Sequence, residues 1–161
     1  MHPIELDSHP VQHPDPDQGK CLTALEIAYK LAEPSKFLIV DDDLSACDLL
    51  QSCLAYIGCD SDSVMRGDSA IDALCKRRYS GVFLDMRMPG MSGQDVLSQM
   101  QCLNLHLPVI IVTGYPSDVT RELMDFGVLA LILKPFTIET LTATIARYCS
   151  IFKIRHLMPG K

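Results

Sequence analysis

Four short apolar runs each stop on a polar residue that such a run cannot bury. Phe37-Leu38-Ile39-Val40 ends on Asp41-Asp42-Asp43, and Gly81-Val82-Phe83-Leu84 on Asp85. Val109-Ile110-Ile111-Val112 ends on Thr113, and Leu131-Ile132-Leu133 on Lys134. Runs of this length without alternation read as strands covered on both faces, which belong to a parallel sheet with helices above and below. The stretch around Asp85 constrains the chain most. Met86-Arg87-Met88-Pro89-Gly90-Met91-Ser92-Gly93 follows at once, a turn that leaves a single carboxylate open to solvent at the strand's C-terminal end. In open α/β sheets, that edge is where ligands bind.

Between the runs, helical periodicity takes over. Asp43 is placed to cap a helix whose apolar positions Cys47, Leu50, Leu54 and Ile57 recur at helical spacing, and Gly58 ends it. Cys59 to Met65 reads as a weaker strand, and Asp68 as the cap of a helix carrying Ile71, Leu74 and Cys75. Ser92 opens a helix that turns Val96, Leu97, Met100 and Leu103 inward. Another helix is predicted over Ser117 to Phe126, burying Val119, Leu123 and Phe126, with Gly127 as its C-cap. Thr137 caps the last helix. With strands at Phe37–Val40, Val82–Asp85, Pro108–Thr113 and Val128–Leu133, the pattern is (βα)5: an α/β, flavodoxin-like three-layer sandwich. Its crossovers are right-handed, and the expected parallel order 2-1-3-4-5 sets strands one and three side by side at the switch point. Asp41, Asp42 and Asp85 then converge, flanked by Thr113 and Lys134.

The N-terminal end is different in kind. Residues 1–19 carry Pro3, Pro10, Pro14 and Pro16 among His and Asp, the composition of a flexible tail. His2, His9 and His13 have no regular ligand spacing and read as solvated. Residues 20–34 read as an extra N-terminal helix, with Leu22, Leu25, Ala28 and Ala32 on one face and Pro34 as its stop. The main domain is expected over 36–150 and a C-terminal extension over 151–161.

Composition excludes several roles. The 161 residues carry a formal net charge of −6 and no basic stripe, which argues against direct nucleic-acid binding. No apolar run reaches about 18 residues, so no membrane span or membrane partner is expected. The seven cysteines contain no CxxC pair. Cys47, Cys53 and Cys75 lie in apolar surroundings and read as reduced core thiols of a cytoplasmic protein, not as a zinc site or disulfide framework.

The convergent groups suit one chemistry. Three carboxylates in one pocket repel, but a hard divalent cation makes the cluster tolerable. Mg²⁺ takes oxygen ligands and keeps several waters, so two or three carboxylates and a backbone carbonyl suit it. An aspartate is a competent nucleophile toward phosphorus, and phosphoryl transfer needs positioning and charge neutralisation, which an ammonium, a hydroxyl and a metal supply.

On these residues the chain resembles the receiver domain of two-component response regulators. Val40-Asp41-Asp42-Asp43 is similar to that family's acidic pair, Leu84 through Gly93 to its phospho-acceptor loop, Val112-Thr113-Gly114 to its switch hydroxyl and Leu133-Lys134-Pro135-Phe136 to its Lys-Pro pair. The resemblance covers roughly Lys36 to Cys149. It implies that Asp85 accepts a phosphoryl group from a histidine kinase or phosphotransfer protein. It also implies that Asp41, Asp42, Asp85 and the Arg87 backbone carbonyl hold Mg²⁺, that Thr113 and Lys134 bind the phosphoryl oxygens, and that the Lys134-Pro135 bond is cis. The resemblance implies a domain that assists only its own phosphorylation and dephosphorylation and is not otherwise an enzyme. Many receivers carry an aromatic residue three positions before the lysine, where this chain has Leu131. The loop after Thr113, carrying Tyr115, is the alternative moving part. Arg87, Tyr115 and His106 read as surface side chains.

Two other readings are weaker. A haloacid-dehalogenase-like phosphatase would start from Asp41-Asp42-Asp43, with Asp41 as nucleophile, but no acidic motif follows Lys134 and no cap domain has room. A docking module with phosphate secondary does not need the complete acid, Thr and Lys set. Only about a dozen residues follow Cys149, so a stand-alone regulator acting on an unknown downstream protein through protein contacts is expected. Ile138, Leu141, Ile145, Tyr148 and Phe152 form a heptad-like stripe that reads first as packing on the sheet. Its continuation through Ile151, Ile154, Leu157 and Met158, with the N-terminal helix, leaves a homodimer or partner surface open. The expected switch is a population shift in the loops after the fourth and fifth strands.

Overall fold

The computed structural model describes residues 36–118 and 121–148. Its strands are β1 (Lys36–Val40), β2 (Asp60–Val64), β3 (Gly81–Leu84), β4 (Val109–Thr113) and β5 (Val128–Leu133). The helices are α1 (Leu44–Tyr56), α2 (Gly67–Lys76), α3 (Gly93–Cys102) and α4 (Ile138–Arg147), with 3-10 segments at Pro116–Asp118 and Arg121–Phe126. The pairings are all parallel, in the order β2-β1-β3-β4-β5. This is the predicted (βα)5 fold. No described helix is long and apolar enough to cross a membrane.

The pleat explains why β1, β3 and β4 are apolar at nearly every position. Successive side chains point to opposite faces, and both faces are covered. Leu38, Val40, Val82, Leu84 and Ile111 pack with Ile71 and Leu74 of α2 and Val96, Leu97 and Met100 of α3. Phe37, Ile39, Phe83, Ile110 and Val112 pack with Cys47, Leu50 and Leu54 of α1 and Leu141 and Ile145 of α4. The Phe37 and Phe83 rings meet at 5.4 Å, tilted by 57°, a favoured aromatic geometry.

The edge strands depart from this pattern. Every residue of β2 before Val64 is Asp or Ser, a composition that discourages pairing with another chain. Asp62 anchors β2: its carboxylate lies 2.7 Å from Lys36 Nζ and accepts from Tyr79 Oη at 2.9 Å and Arg77 at 3.4 Å. Partial burial pushes this carboxyl up, but these donors outweigh it and hold it below the usual range. On β5, Leu131 and Leu133 are exposed, against the expectation of a strand covered on both faces. β5 is the edge strand beyond β4, and the described residues of the segment before it are 3-10 turns at Pro116–Asp118 and Arg121–Phe126 where a helix was expected over Ser117 to Phe126. Leu123 is nevertheless buried, and Gly127, at φ +80°, ends the segment as expected. Val119 lies outside the described residues.

Helix starts follow capping chemistry. The Asp43 carboxylate accepts from Ser45 N at 2.9 Å, Ser92 and Asp95 form a reciprocal capping box, and Thr137 caps α4. The predicted cap at Asp68 is corrected to Arg66. A Cβ on Gly67 would sit 2.8 Å from Met91 and Val96, so this glycine lets the chain turn helical early, under the α3 loop. Asp68 instead lies in the first turn, where a carboxylate suits the helix dipole, paired to Arg66 at 2.7 Å. Cys47 and Cys53 are buried thiols, whereas Cys75 and Leu103 are exposed, because each sits on the outer side of its helix near the end. Of the heptad-like stripe, Leu141 and Ile145 are buried against the sheet, with Ile138 and Tyr148 packed beside them. The tail, the N-terminal helix, Phe152 and the C-terminal extension fall outside the described residues.

Core and edge differ in stability. Replacing the fully buried Leu141 with Ala should destabilise the domain by about 2–5 kcal/mol. Leu131→Ala, on the exposed side of β5, should have less than half that effect. Urea denaturation of both variants checks the contrast.

Candidate functional site

Adjacency of β1 and β3 builds the site. Their register pairs Val40 with Leu84, so the next residues, Asp41 and Asp85, emerge side by side at the sheet's C-terminal edge. Asp85 N donates to Val40 O at 2.8 Å and Asp41 N to Val64 O at 3.2 Å, which ties both backbones to the sheet. Asp41, Asp85 and Thr113 are the buried polar side chains among the described residues.

The carboxylates of Asp41, Asp42 and Asp85 each place an oxygen within 4.8 Å of the others. Asp42 is exposed, and the other two are buried. The acidic trio seen in the sequence therefore divides: Asp41 and Asp42 enter the pocket, while Asp43 turns away to cap α1. Lys134 Nζ reaches in from the end of β5, 2.6 Å from Asp41 Oδ2 and 3.5 Å from Asp85 Oδ2. Apart from that ammonium, Asp41 Oδ2 accepts no hydrogen bond although it is buried. Asp41 Oδ1 takes Asp43 N at 3.0 Å, and Asp85 Oδ1 takes Met86 N at 2.8 Å. Thr113 ends β4 beside Lys134, whose N–H donates to Thr113 O at 2.9 Å. Its hydroxyl accepts from Tyr115 N at 3.2 Å. The Lys134-Pro135 bond is cis.

Electrostatics follow from the geometry. Burial raises the Asp85 carboxyl, the Lys134 charge opposes that, and the neighbouring Asp41 adds to it, leaving the group above its usual range. Burial lowers Lys134, but the Asp41 and Asp85 carboxylates prevail and the ammonium is held more firmly than usual. Cys47 Sγ lies 3.4 Å from Asp41 O, and burial, reinforced by Asp41, pushes its thiol up to about 11. Three carboxylate oxygen donors within 4.8 Å of one another are the set that a hard divalent cation takes.

Two features were missed in the sequence. Gly93 is one: a Cβ there would strike Asp85 O and come within 2.8 Å of Met86 Cα. Its N–H donates to Met86 O at 3.0 Å, so the first turn of α3 is pressed onto the backbone beside Asp85. The other is Asp118. Arg87 Nε and Nη2 donate to its two carboxylate oxygens at 2.5 and 2.8 Å, and the guanidinium lies over the Tyr115 ring, 3.6 Å from its centroid. No spacing rule links residues 31 apart. The cue was only an arginine and an aspartate on two loops that the topology brings together.

This arrangement has relatives. The response regulator receiver domain family matches residues 37–146. The chain belongs to that family. As a receiver it is a signalling module, not a catalyst. Receivers are phosphorylated on an aspartate, bind Mg²⁺ at their acidic pocket, and interact with histidine kinases or phosphotransfer proteins. The receiver is 33% identical to sporulation initiation phosphotransferase F of Bacillus subtilis, over 70% of this chain and 92% of that protein. It is 34% identical to the transcriptional regulatory protein ZraR of Escherichia coli O157:H7, over 68% of this chain but only 25% of ZraR. A CheY-like response regulator receiver domain from Methylobacillus flagellatus superposes with a TM-score of 0.65 at 27% identity, covering 74% of this chain and 99% of that one.

Crowding and charge at the pocket yield two outcomes. Gly93→Ala should destabilise the receiver by about 1–3 kcal/mol, because the methyl meets backbone that cannot swing aside; thermal denaturation checks this. Asp42→Asn should stabilise the metal-free protein at low salt by roughly 0.5–1 kcal/mol, since like charges at such separations near water repel by about 1 kcal/mol. The gain should shrink as salt screens the pocket, which melting in EDTA at two ionic strengths would reveal.

Proposed function

We propose that Asp85 is the phospho-acceptor of this receiver, taking its phosphoryl group from a phosphohistidine on a histidine kinase or phosphotransfer protein. The observation that carries the reading is the placement of Lys134 Nζ between two buried carboxylates at the carboxyl edge of the sheet. In the transfer a carboxylate oxygen of Asp85 bonds to phosphorus while the nitrogen–phosphorus bond of the donor breaks, and the imidazole nitrogen keeps the electron pair. Lys134 neutralises charge on the transferred group, and the Thr113 hydroxyl binds one of its oxygens. Asp41, Asp42, Asp85 and the backbone carbonyl of Arg87 are the ligands we assign to Mg²⁺. The bound ion supplies positive charge that offsets both the carboxylate repulsion and the incoming phosphoryl oxygens.

Signal leaves by protein contact on this reading. The phosphoryl group adds about −1.5 to −2 charge at Asp85. Thr113 and Lys134 are drawn to it, and the loops that follow β4 and β5 settle into a second arrangement that a downstream protein recognises. The formal charge of −6 and the lack of a basic stripe support a protein partner over nucleic acid.

Incubation with acetyl phosphate and Mg²⁺, followed by intact-mass measurement, tests the assignment. The wild type should gain one hydroxylamine-labile phosphoryl group, and both Asp85→Asn and EDTA should abolish it. Labelling that survives Asp85→Asn but is lost in Asp41→Asn would overturn it in favour of a phosphatase-type nucleophile. Mg²⁺ should also raise the melting temperature of the wild type, and should do so less in Asp42→Asn.

A further inference from the structure

We propose that the Arg87 side chain is a conditional ligand of the phosphoryl group, which Asp118 holds aside until Asp85 is modified. The inference rests on Asp85 being the phospho-acceptor, and it gives Asp118, so far without a role, the part of a positioning residue.

Geometry carries it. Arg87 stands two residues after Asp85, directly beyond Met86, whose N–H donates to the Asp85 carboxylate at 2.8 Å, so its long side chain starts within reach of anything bonded to that group. Yet the guanidinium points elsewhere. Both of its bonds go to Asp118 at 2.5 and 2.8 Å, and its face rests on Tyr115. This bidentate pair ties the loop after β3 to the Pro116–Asp118 turn after β4. It is also an exposed pair, with the Arg87 side chain 53% accessible, and such pairs are weak and readily exchanged.

A phosphoryl group on Asp85 changes the competition. It brings nearly two negative charges and three acceptor oxygens, against one charge on Asp118, and a guanidinium fork fits it as well as it fits a carboxylate. Arg87 moves to the stronger anion. Asp118 and the Pro116–Asp118 turn are then released, and Tyr115 loses the cation on its ring. This offers a mechanical link between Asp85 and the loop after Thr113 in a chain that has Leu131 where many receivers carry an aromatic residue.

Beryllofluoride with Mg²⁺, a stable phosphoryl mimic, gives the test when titrated onto the full chain and followed by fluorine NMR. Asp118→Asn should tighten beryllofluoride binding by about two- to fivefold, the worth of one exposed ion pair. Arg87→Gln, which keeps the backbone carbonyl, should weaken binding, and in that background Asp118→Asn should have no further effect. Asp118→Glu, which keeps the charge, should bind like the wild type. Unchanged or weaker binding in Asp118→Asn, or tightening that persists without Arg87, would overturn the proposal. Should Asp118→Asn not fold, Asp118→Ser carries the same expectations. Failure of the wild type to bind beryllofluoride at all would instead refute the phospho-acceptor reading beneath it.

Discussion

One ammonium lets two carboxylates share a buried space. Lys134 Nζ lies 2.6 Å from Asp41 and 3.5 Å from Asp85, and without it the sheet edge would enclose uncompensated negative charge, which folded proteins do not tolerate. Three separate strands must end at one level to bring these groups together. The parallel order with β1 beside β3 does that, and the backbone bond from Lys134 N to Thr113 O aligns the other side. The rest of the fold, two covered faces and short capped helices, serves to keep those strand ends in register.

Much of this was legible before any coordinates. Unbroken apolar runs such as Val109–Val112 read as strands with both faces buried, which holds for β1, β3 and β4, and a polar residue at the end of each run marks the edge where it meets solvent. Parallel order and right-handed crossovers then follow from general topology, and the convergence of Asp41, Asp42, Asp85, Thr113 and Lys134 follows from the order. What was not legible depends on tertiary contact. Asp68 carries a good capping side chain, but the close packing of Gly67 under Met91 and Val96 starts the helix earlier. Ser117 to Phe126 has helical periodicity, yet its described residues wind as 3-10 turns, and Leu131 and Leu133 on the edge strand are exposed. The Arg87 and Asp118 pair joins residues with no local relation at all.

The site shows a tension common to functional centres, where local rules are broken and the surrounding fold compensates. Asp85 is buried beside a like charge and its carboxyl is raised. Asp41 keeps a buried oxygen whose one donor is the Lys134 ammonium. Neither would be chosen for stability alone. Both are held at the ends of buried strands β1 and β3, whose close packing leaves little freedom.

The pressing of Gly93 onto Met86 has a further consequence. An α-helix of ten residues is a stiff rod about 15 Å long. Its first turn is fastened to the backbone next to Asp85, so any displacement of that backbone cannot be absorbed within the rod. It is carried along to the far end of the helix at Cys102, from which the chain leads to the start of β4. A change in one carboxylate can thereby be felt at a distance with no intervening chain of side-chain rearrangements.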